Sequence, residues 1–194
     1  VAATMNLWTV FTMLFAFIFM GQRLSAMQTL GVLMILSGAT LASLNWSEIR
    51  KRRFQLSAGV KEAVFGAFFF GVFWNVSEII SEKAGWLLTT LFIKLGIILF
   101  LLIFSLLAKK GIAPAEISTR TKFIILLMGV VEAGAVALIN YGLTIGDAIL
   151  ITPIASALSI VTITLAIIFL KDKVSKIQGL GIIMAIVGIV ITAL

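Results

Sequence analysis

Seven apolar runs, each about 20 residues long, follow one another along the chain with polar punctuation between them. They cover residues 1–20, 26–44, 58–80, 86–107, 123–142, 148–169 and 176–194. A run of that length is what an α-helix needs to cross a hydrocarbon layer ~30 Å thick. Strands of a transmembrane barrel would instead alternate over ~10 residues, and no such alternation is present. The pattern therefore predicts an all-α integral membrane protein with seven transmembrane helices. The connections read "GQRLS", "NWSEIRKRRFQLS", "SEKAG", "KKGIAPAEISTRTK", "LTIGD" and "KDKVS", and successive ones must fall on alternate sides of the membrane.

Composition agrees. A chain that is 61% hydrophobic and 12% charged, with a mean hydropathy of +1.21, has more apolar surface than a soluble core of 194 residues could bury. The net charge of +7 does not point to nucleic acid, because Lys and Arg lie in short loops and not along an aromatic-interleaved face. With no Cys and no His, thiol nucleophiles, disulfides, thiolate metal sites and imidazole bases are excluded. No catalytic residue, metal or cofactor is expected, and the chain is not read as an enzyme.

Charge also orients the spans. The second, fourth and sixth connections and their flanks carry Arg50, Lys51, Arg52, Arg53, Lys61, Lys109, Lys110, Arg120, Lys122, Lys171, Lys173 and Lys176, whereas the other side has only Arg23 and Lys83. Lys and Arg accumulate on cytoplasmic loops, so the bias puts the richer side in the cytoplasm and Leu194 outside. The expected location is the plasma (cell) membrane of a prokaryote.

The stretch "FLKDKVSKIQGLGIIMAIVG" (169–188) has a near copy, "FMGQRLSAMQTLGVLMILSG", at 19–38. Aligned without a gap, residues 11–44 and 161–194 share 11 identical positions in 34. The second span and its copy, the seventh, are five crossings apart and must run in opposite directions. Such inverted repeats recur in secondary transporters, where two similar halves rock around a midplane site. A complete second unit from about residue 57 implies a partner of equal length, so three helices, on the order of 90 residues at the usual span length, are expected to precede Val1. The organisation read from this is 1–44 as the last two helices of a first repeat, 45–57 as a basic linker, and 58–194 as a second repeat of five helices.

These features resemble the drug/metabolite transporter superfamily, specifically EamA-like ten-helix transporters. The resemblance rests on "FLKDKVSKIQGLG" and "FMGQRLSAMQTLG", on "GVFWNVSEIISEKAG" opening the second unit, and on "GDAILITPIASALSIVTITLAIIFL". The acidic residue usual in the turn is Asp172 in the second copy but Gln22 in the first. The resemblance implies a permease or exporter of a small metabolite or drug, with the first, third and fourth helices of each unit lining a cavity. It also implies both termini in the cytoplasm, opposite to the charge argument. A passive channel or a non-transporting membrane scaffold remains the alternative.

Buried polar groups in hydrocarbon are expensive, so each calls for a reason. In the third span Ala67, Gly71, Asn75, Glu78 and Glu82 fall within a sector of about 80° at 100° per residue. Trp74 borders this stripe as an aromatic wall or an interfacial anchor. Glu132 lies at the middle of "KFIILLMGVVEAGAVALINYG" and must face protein or water, with Asn140 on the same side. It suits a substrate amine or a coupling proton or ion. Lys94 is the other charge near midplane, ~12 Å along its helix from Trp86, and either pairs with Glu132 or snorkels to an interface. In the sixth span Thr152, Ser156 and Ser159 form a stripe whose register maps Ser156 onto Asn6 and Ser159 onto Thr9. Pro153 stands near that helix's start, where it removes little or breaks a turn. The candidate substrate-binding or coupling set is thus Glu132, Glu78, Asn75, Asn140, Lys94, Trp74, Ser156 and Asn6. Gly31, Gly38, Gly181 and Gly188, spaced seven apart in each copy, read as packing seams. They are available to a second copy in a homodimer and resemble the dimerising last helix of small multidrug resistance proteins. The expected partners are the lipid bilayer and a small-molecule substrate.

Overall fold

The computed structural model describes residues 7–43, 60–109, 117–171 and 174–193, and no strand occurs among them. The helices are α1 (Leu7–Phe19), α2 (Ala26–Ser43), α3 (Val60–Ala84), α4 (Trp86–Ala108), α5 (Thr119–Ile145), α6 (Ala148–Ser156), α7 (Leu158–Leu165) and α8 (Lys176–Thr192), with a π-helical turn at Ala166–Leu170. Five stretches are long and apolar enough to cross a membrane, namely Ala26–Ser43, Lys61–Ala84, Trp86–Ala108, Thr119–Ile145 and Ala148–Phe169; α1 and α8 are shorter apolar helices. Asn6, Asp172 and the basic run Arg50, Lys51, Arg52 and Arg53 lie outside the described residues. Large apolar side chains such as Leu99, Phe100 and Leu107 point outward, as expected where hydrocarbon is the solvent.

Two compact units are present, residues 1–76 with 146–194, and residues 77–145. In the first, α2 and α8 form the centre. A Cβ added at Gly31 would sit 2.7 Å from the Gly188 carbonyl oxygen, and one at Gly38 would sit 2.6 Å from that of Gly181. Rising numbers in α2 meet falling numbers in α8, so the helices are antiparallel. The contacts also map onto themselves under the 150-residue register: Gly31 with Gly188 becomes Gly181 with Gly38, and Gly31 against Thr192 becomes Gly181 against Ala42. Ile35 and Ala185, equivalent positions in the two copies, lie in the buried core between them with Ala157 and Ile160. The four glycines, expected as packing seams, thus meet one another inside one chain.

The repeated Q-x-x-G pattern acquires a physical account. Gln28 accepts from Ser25 N–H at 3.0 Å while its own N–H donates to Ser25 Oγ at 3.2 Å. Gln178 and Ser175 do the same at 2.9 and 3.2 Å. Each pair is a capping box that satisfies N–H groups at a helix start, and the glycine three residues on enters the seam. The preceding turns match too. Gly21 and Lys171, equivalent in register, both take the left-handed conformation, with φ 70° and 55°.

Several helix ends differ from those drawn from hydropathy, for local reasons. α3 continues through Glu82 and Lys83 until Gly85, whose φ of 83° turns the chain directly into α4. α5 starts earlier because Ser118 Oγ accepts from Thr121 N–H at 3.2 Å and caps it. The sixth span, expected as one helix, divides into α6, α7 and the π turn. Pro153 has no N–H to donate, and its carbonyl accepts from Ser156 Oγ at 2.6 Å. The N–H of Ala157 turns instead to the Ile154 carbonyl at 3.1 Å.

The seam generates a paired expectation. Gly38→Ala puts a methyl where the Gly181 carbonyl oxygen stands at 2.6 Å and should destabilise by about 1–3 kcal/mol, the usual range for overpacking. Gly66→Ala, where nothing lies within 4 Å, should stabilise by about 0.5–1 kcal/mol. Thermal unfolding in detergent micelles measures both, and equal midpoints for the two variants would remove the seam from the stability of the fold.

Candidate functional site

Along α3 the buried positions are 67, 71, 74, 75, 77, 78 and 81, which is helical periodicity. Within the first unit this face meets α1. Gly71 makes the approach possible, since a Cβ there would lie 2.7 Å from Phe11 Cβ and 3.0 Å from Thr12 N. Asn75 Nδ2 then donates across the interface to the Thr12 carbonyl at 3.1 Å and back to the Gly71 carbonyl at 2.9 Å. Trp74 packs on the same helix, its ring 6.2 Å from that of Trp8 and 5.8 Å from that of Phe70. At 3% exposure, Trp74 is an interior wall and not an interfacial anchor. Thr9, fully buried, sits on α1 between Trp8, which touches Trp74, and Thr12, which bonds Asn75.

Three polar atoms at this contact have no hydrogen-bond partner among the described residues: Thr9 Oγ1, Trp74 Nε1 and Asn75 Oδ1. Each buried unsatisfied group costs about 1–3 kcal/mol. The hydroxyl of neighbouring Thr12, by contrast, donates to the Trp8 carbonyl at 2.9 Å, a self-contained bond within the helix.

In the second unit α4 and α5 form a hairpin. Asn140, fully buried, accepts from Ser77 Oγ at 2.8 Å and donates to Thr90 Oγ1 at 2.9 Å. Two turns further, Lys94 Nζ is paired with Glu132 Oε2. The two alternatives for Lys94 are thereby resolved: it pairs, and does not snorkel. Glu132 remains 61% exposed on the chain surface, so the expected enclosure of its carboxylate is not provided by the described residues. On another face of α5 an open, wholly apolar groove of about 450 Å³ is lined by Trp86, Gly134, Ala137, Leu138 and Tyr141, with Trp86 edge-on to Tyr141 at 5.9 Å.

The remaining candidates are placed as follows. Glu78 is fully buried on α3, one turn beyond Trp74. Ser156 is buried, and its hydroxyl donates to the Pro153 carbonyl at the helix break. Glu82 is exposed while Ser81 is buried, so the buried stripe is rotated from the one expected. Trp8, Ser77, Ser81 and Thr90 escaped the sequence reading. The Trp74, Ser77, Glu78 and Ser81 spacing carried a signal for two of them, but Trp8 and Thr90 become visible only through their partners.

Pairing makes Lys94 and Glu132 interdependent. Lys94→Met leaves an ionised carboxylate in a membrane span and should reduce the folded, membrane-inserted fraction severalfold, whereas Lys94→Met with Glu132→Gln should recover most of it. Quantitative membrane expression and thermal melting of the four-member cycle measure this; additive losses would show that the pair is not coupled.

Comparison with known proteins fits this architecture. Residues 57–194 match the model of the EamA-like transporter family. The uncharacterized protein MJ1333.1 of Methanocaldococcus jannaschii is 33% identical over 131 residues, which is 66% of this chain and 90% of that protein. With the match covering most of the chain and the all-helical apolar fold around it, this integral membrane protein belongs to the EamA-like transporter family, membrane transporters of the drug/metabolite type.

Proposed function

We propose that the protein is a secondary transporter that moves a small metabolite or drug-like solute by alternating access, with its solute site at the α1–α3 contact. The observation that carries this is the trio Thr9 Oγ1, Trp74 Nε1 and Asn75 Oδ1, buried beside aromatic rings and lacking partners among the described residues. A solute that meets these atoms relieves their desolvation, which makes binding favourable and specific. Inverted repeats suit the mechanism because the same contacts can form on either side of the pseudo-two-fold axis. A passive channel fits less well, since Trp8, Phe70 and Trp74 interrupt the polar stripe where a pore would need a continuous lining.

Glu132 and Lys94 serve as the coupling element in this reading. A proton or other cation reaching Glu132 neutralises the carboxylate and frees Lys94, so the pair changes charge state in step with transport. The protein sits in the plasma membrane of a prokaryote, with the side rich in Lys and Arg in the cytoplasm.

Uptake into proteoliposomes by the full-length transporter tests these assignments. Glu132→Gln should lower the rate about tenfold or more and flatten its pH dependence, as loss of a proton-transferring group does. Unchanged rate and pH profile would remove Glu132 from coupling. Reporter fusions after Arg53 and after Leu194 should report opposite sides, and a cytoplasmic Leu194 would overturn the orientation.

A further inference from the structure

The α1–α3 contact carries chemical detail about what it binds. Its walls are flat. Trp8 and Trp74 lie 40° apart in plane at 6.2 Å, Phe70 stands edge-on to both at 5.2 and 5.8 Å, and Phe73 stacks on Phe70 at 5.6 Å with 3° between the rings. Flat walls of this kind favour a flat guest, because offset stacking and edge contacts need a planar partner.

The polar atoms have a fixed sense as well. An indole Nε1–H can only donate. The side-chain amide of Asn75 is held in one orientation, because its Nδ2 donates to two carbonyls, those of Thr12 and Gly71. A flipped amide would set its oxygen against two acceptors, so Oδ1 is the atom left over, and it can only accept. The contact therefore presents one donor and one acceptor from consecutive residues, with the Thr9 hydroxyl between Trp8 and Thr12 able to act either way. All three residues are less than a tenth exposed. Entry requires α1 and α3 to part near Gly71, where a Cβ would meet Phe11 and Thr12.

Building on the transport reading above, we propose that the solute is a planar heterocycle bearing a carbonyl-type acceptor next to an N–H donor, the edge of a lactam or nucleobase-like ring. The ring lies among Trp8, Phe70 and Trp74, its acceptor faces Trp74 Nε1, and its N–H faces Asn75 Oδ1. Thr9 Oγ1 takes a second group on the same edge. A site built this way discriminates strongly against analogues that lack the hydrogen-bonding groups, because its own buried atoms are then left unpaired. It discriminates against non-planar solutes through the lost ring contacts.

Matched pairs of probes test the class. Binding of uracil and N,N′-dimethyluracil, and of xanthine and caffeine, to the full-length transporter in detergent is measured by titration calorimetry, alongside proteoliposome uptake of the same compounds and of cyclohexylamine and glucose. In each pair the ring is kept and the N–H donors are removed. The N–H compounds should bind at least tenfold more tightly than their methylated partners, and Trp74→Phe, which keeps an aromatic ring and deletes the donor, should weaken the better binder about tenfold. Thr9→Val gives a second, smaller substitution that should weaken the same compounds, so the result does not hang on one variant's folding. Equal affinity within each pair, or preference for cyclohexylamine or glucose with Trp74 still required, would overturn the heterocycle class and leave the transport site standing. Uptake of every probe untouched by Trp74→Phe and Thr9→Val would overturn the site itself.

Discussion

Backbone contact between α2 and α8 is the constraint on which the first unit depends. Hydrocarbon supplies no hydrophobic drive for helices to associate, so they hold together by close packing, and close packing needs missing side chains. Gly31, Gly38, Gly181 and Gly188 provide that absence, and each would place a Cβ within 2.7 Å of a facing carbonyl oxygen. Because the two helices are copies of each other, the seam is two-fold symmetric, and a single glycine spacing written twice specifies both surfaces. The capping boxes at Ser25 and Ser175 fix where each helix begins, which sets the register in which the glycines meet.

The same solvent decides which polar side chains matter. Most hydroxyls here are occupied locally. Thr12, Thr40, Thr89, Thr90, Thr152 and Thr164 donate to the carbonyl four residues back, and Ser156 bonds the Pro153 carbonyl. These side chains cost the membrane little and offer a ligand little. Against that background Thr9, Trp74, Asn75 and Ser81 differ in having buried atoms with no partner among the described residues. Polarity within a span is therefore a weak signal of function; polarity that the chain leaves unanswered is a stronger one. Gln22 illustrates the converse. It stands where a carboxylate was expected, and its Oε1 accepts from Ile149 N–H at 3.1 Å, meeting one of the open N–H groups at the start of α6.

The legible parts of the sequence were those fixed by local chemistry. The lengths of the apolar runs gave the helices, and the copied stretch at 19–38 and 169–188 gave the inversion later seen as antiparallel packing. The glycine spacing announced a seam. Among candidate residues, Trp74 and Asn75 stood out beside Gly71 on one helical face, and the Lys94 to Glu132 pairing was one of two stated possibilities. The spacing of Ser156 carried no sign of the proline carbonyl that its hydroxyl bonds, and Glu82, on the expected stripe, is exposed near the end of α3 while Ala67, Gly71, Asn75 and Glu78 are buried.

What the sequence determined alone was the solvent, the helices and the duplicated, inverted plan, because hydrophobic length and period are properties of neighbouring residues. What only the tertiary structure decided was pairing: that the glycine seam closes within one chain, that Lys94 meets Glu132, and that Asn75 turns its amide nitrogen to α1 and leaves its oxygen open. Each of these depends on which residue of another helix lies opposite at a given depth, and no local pattern carries that information.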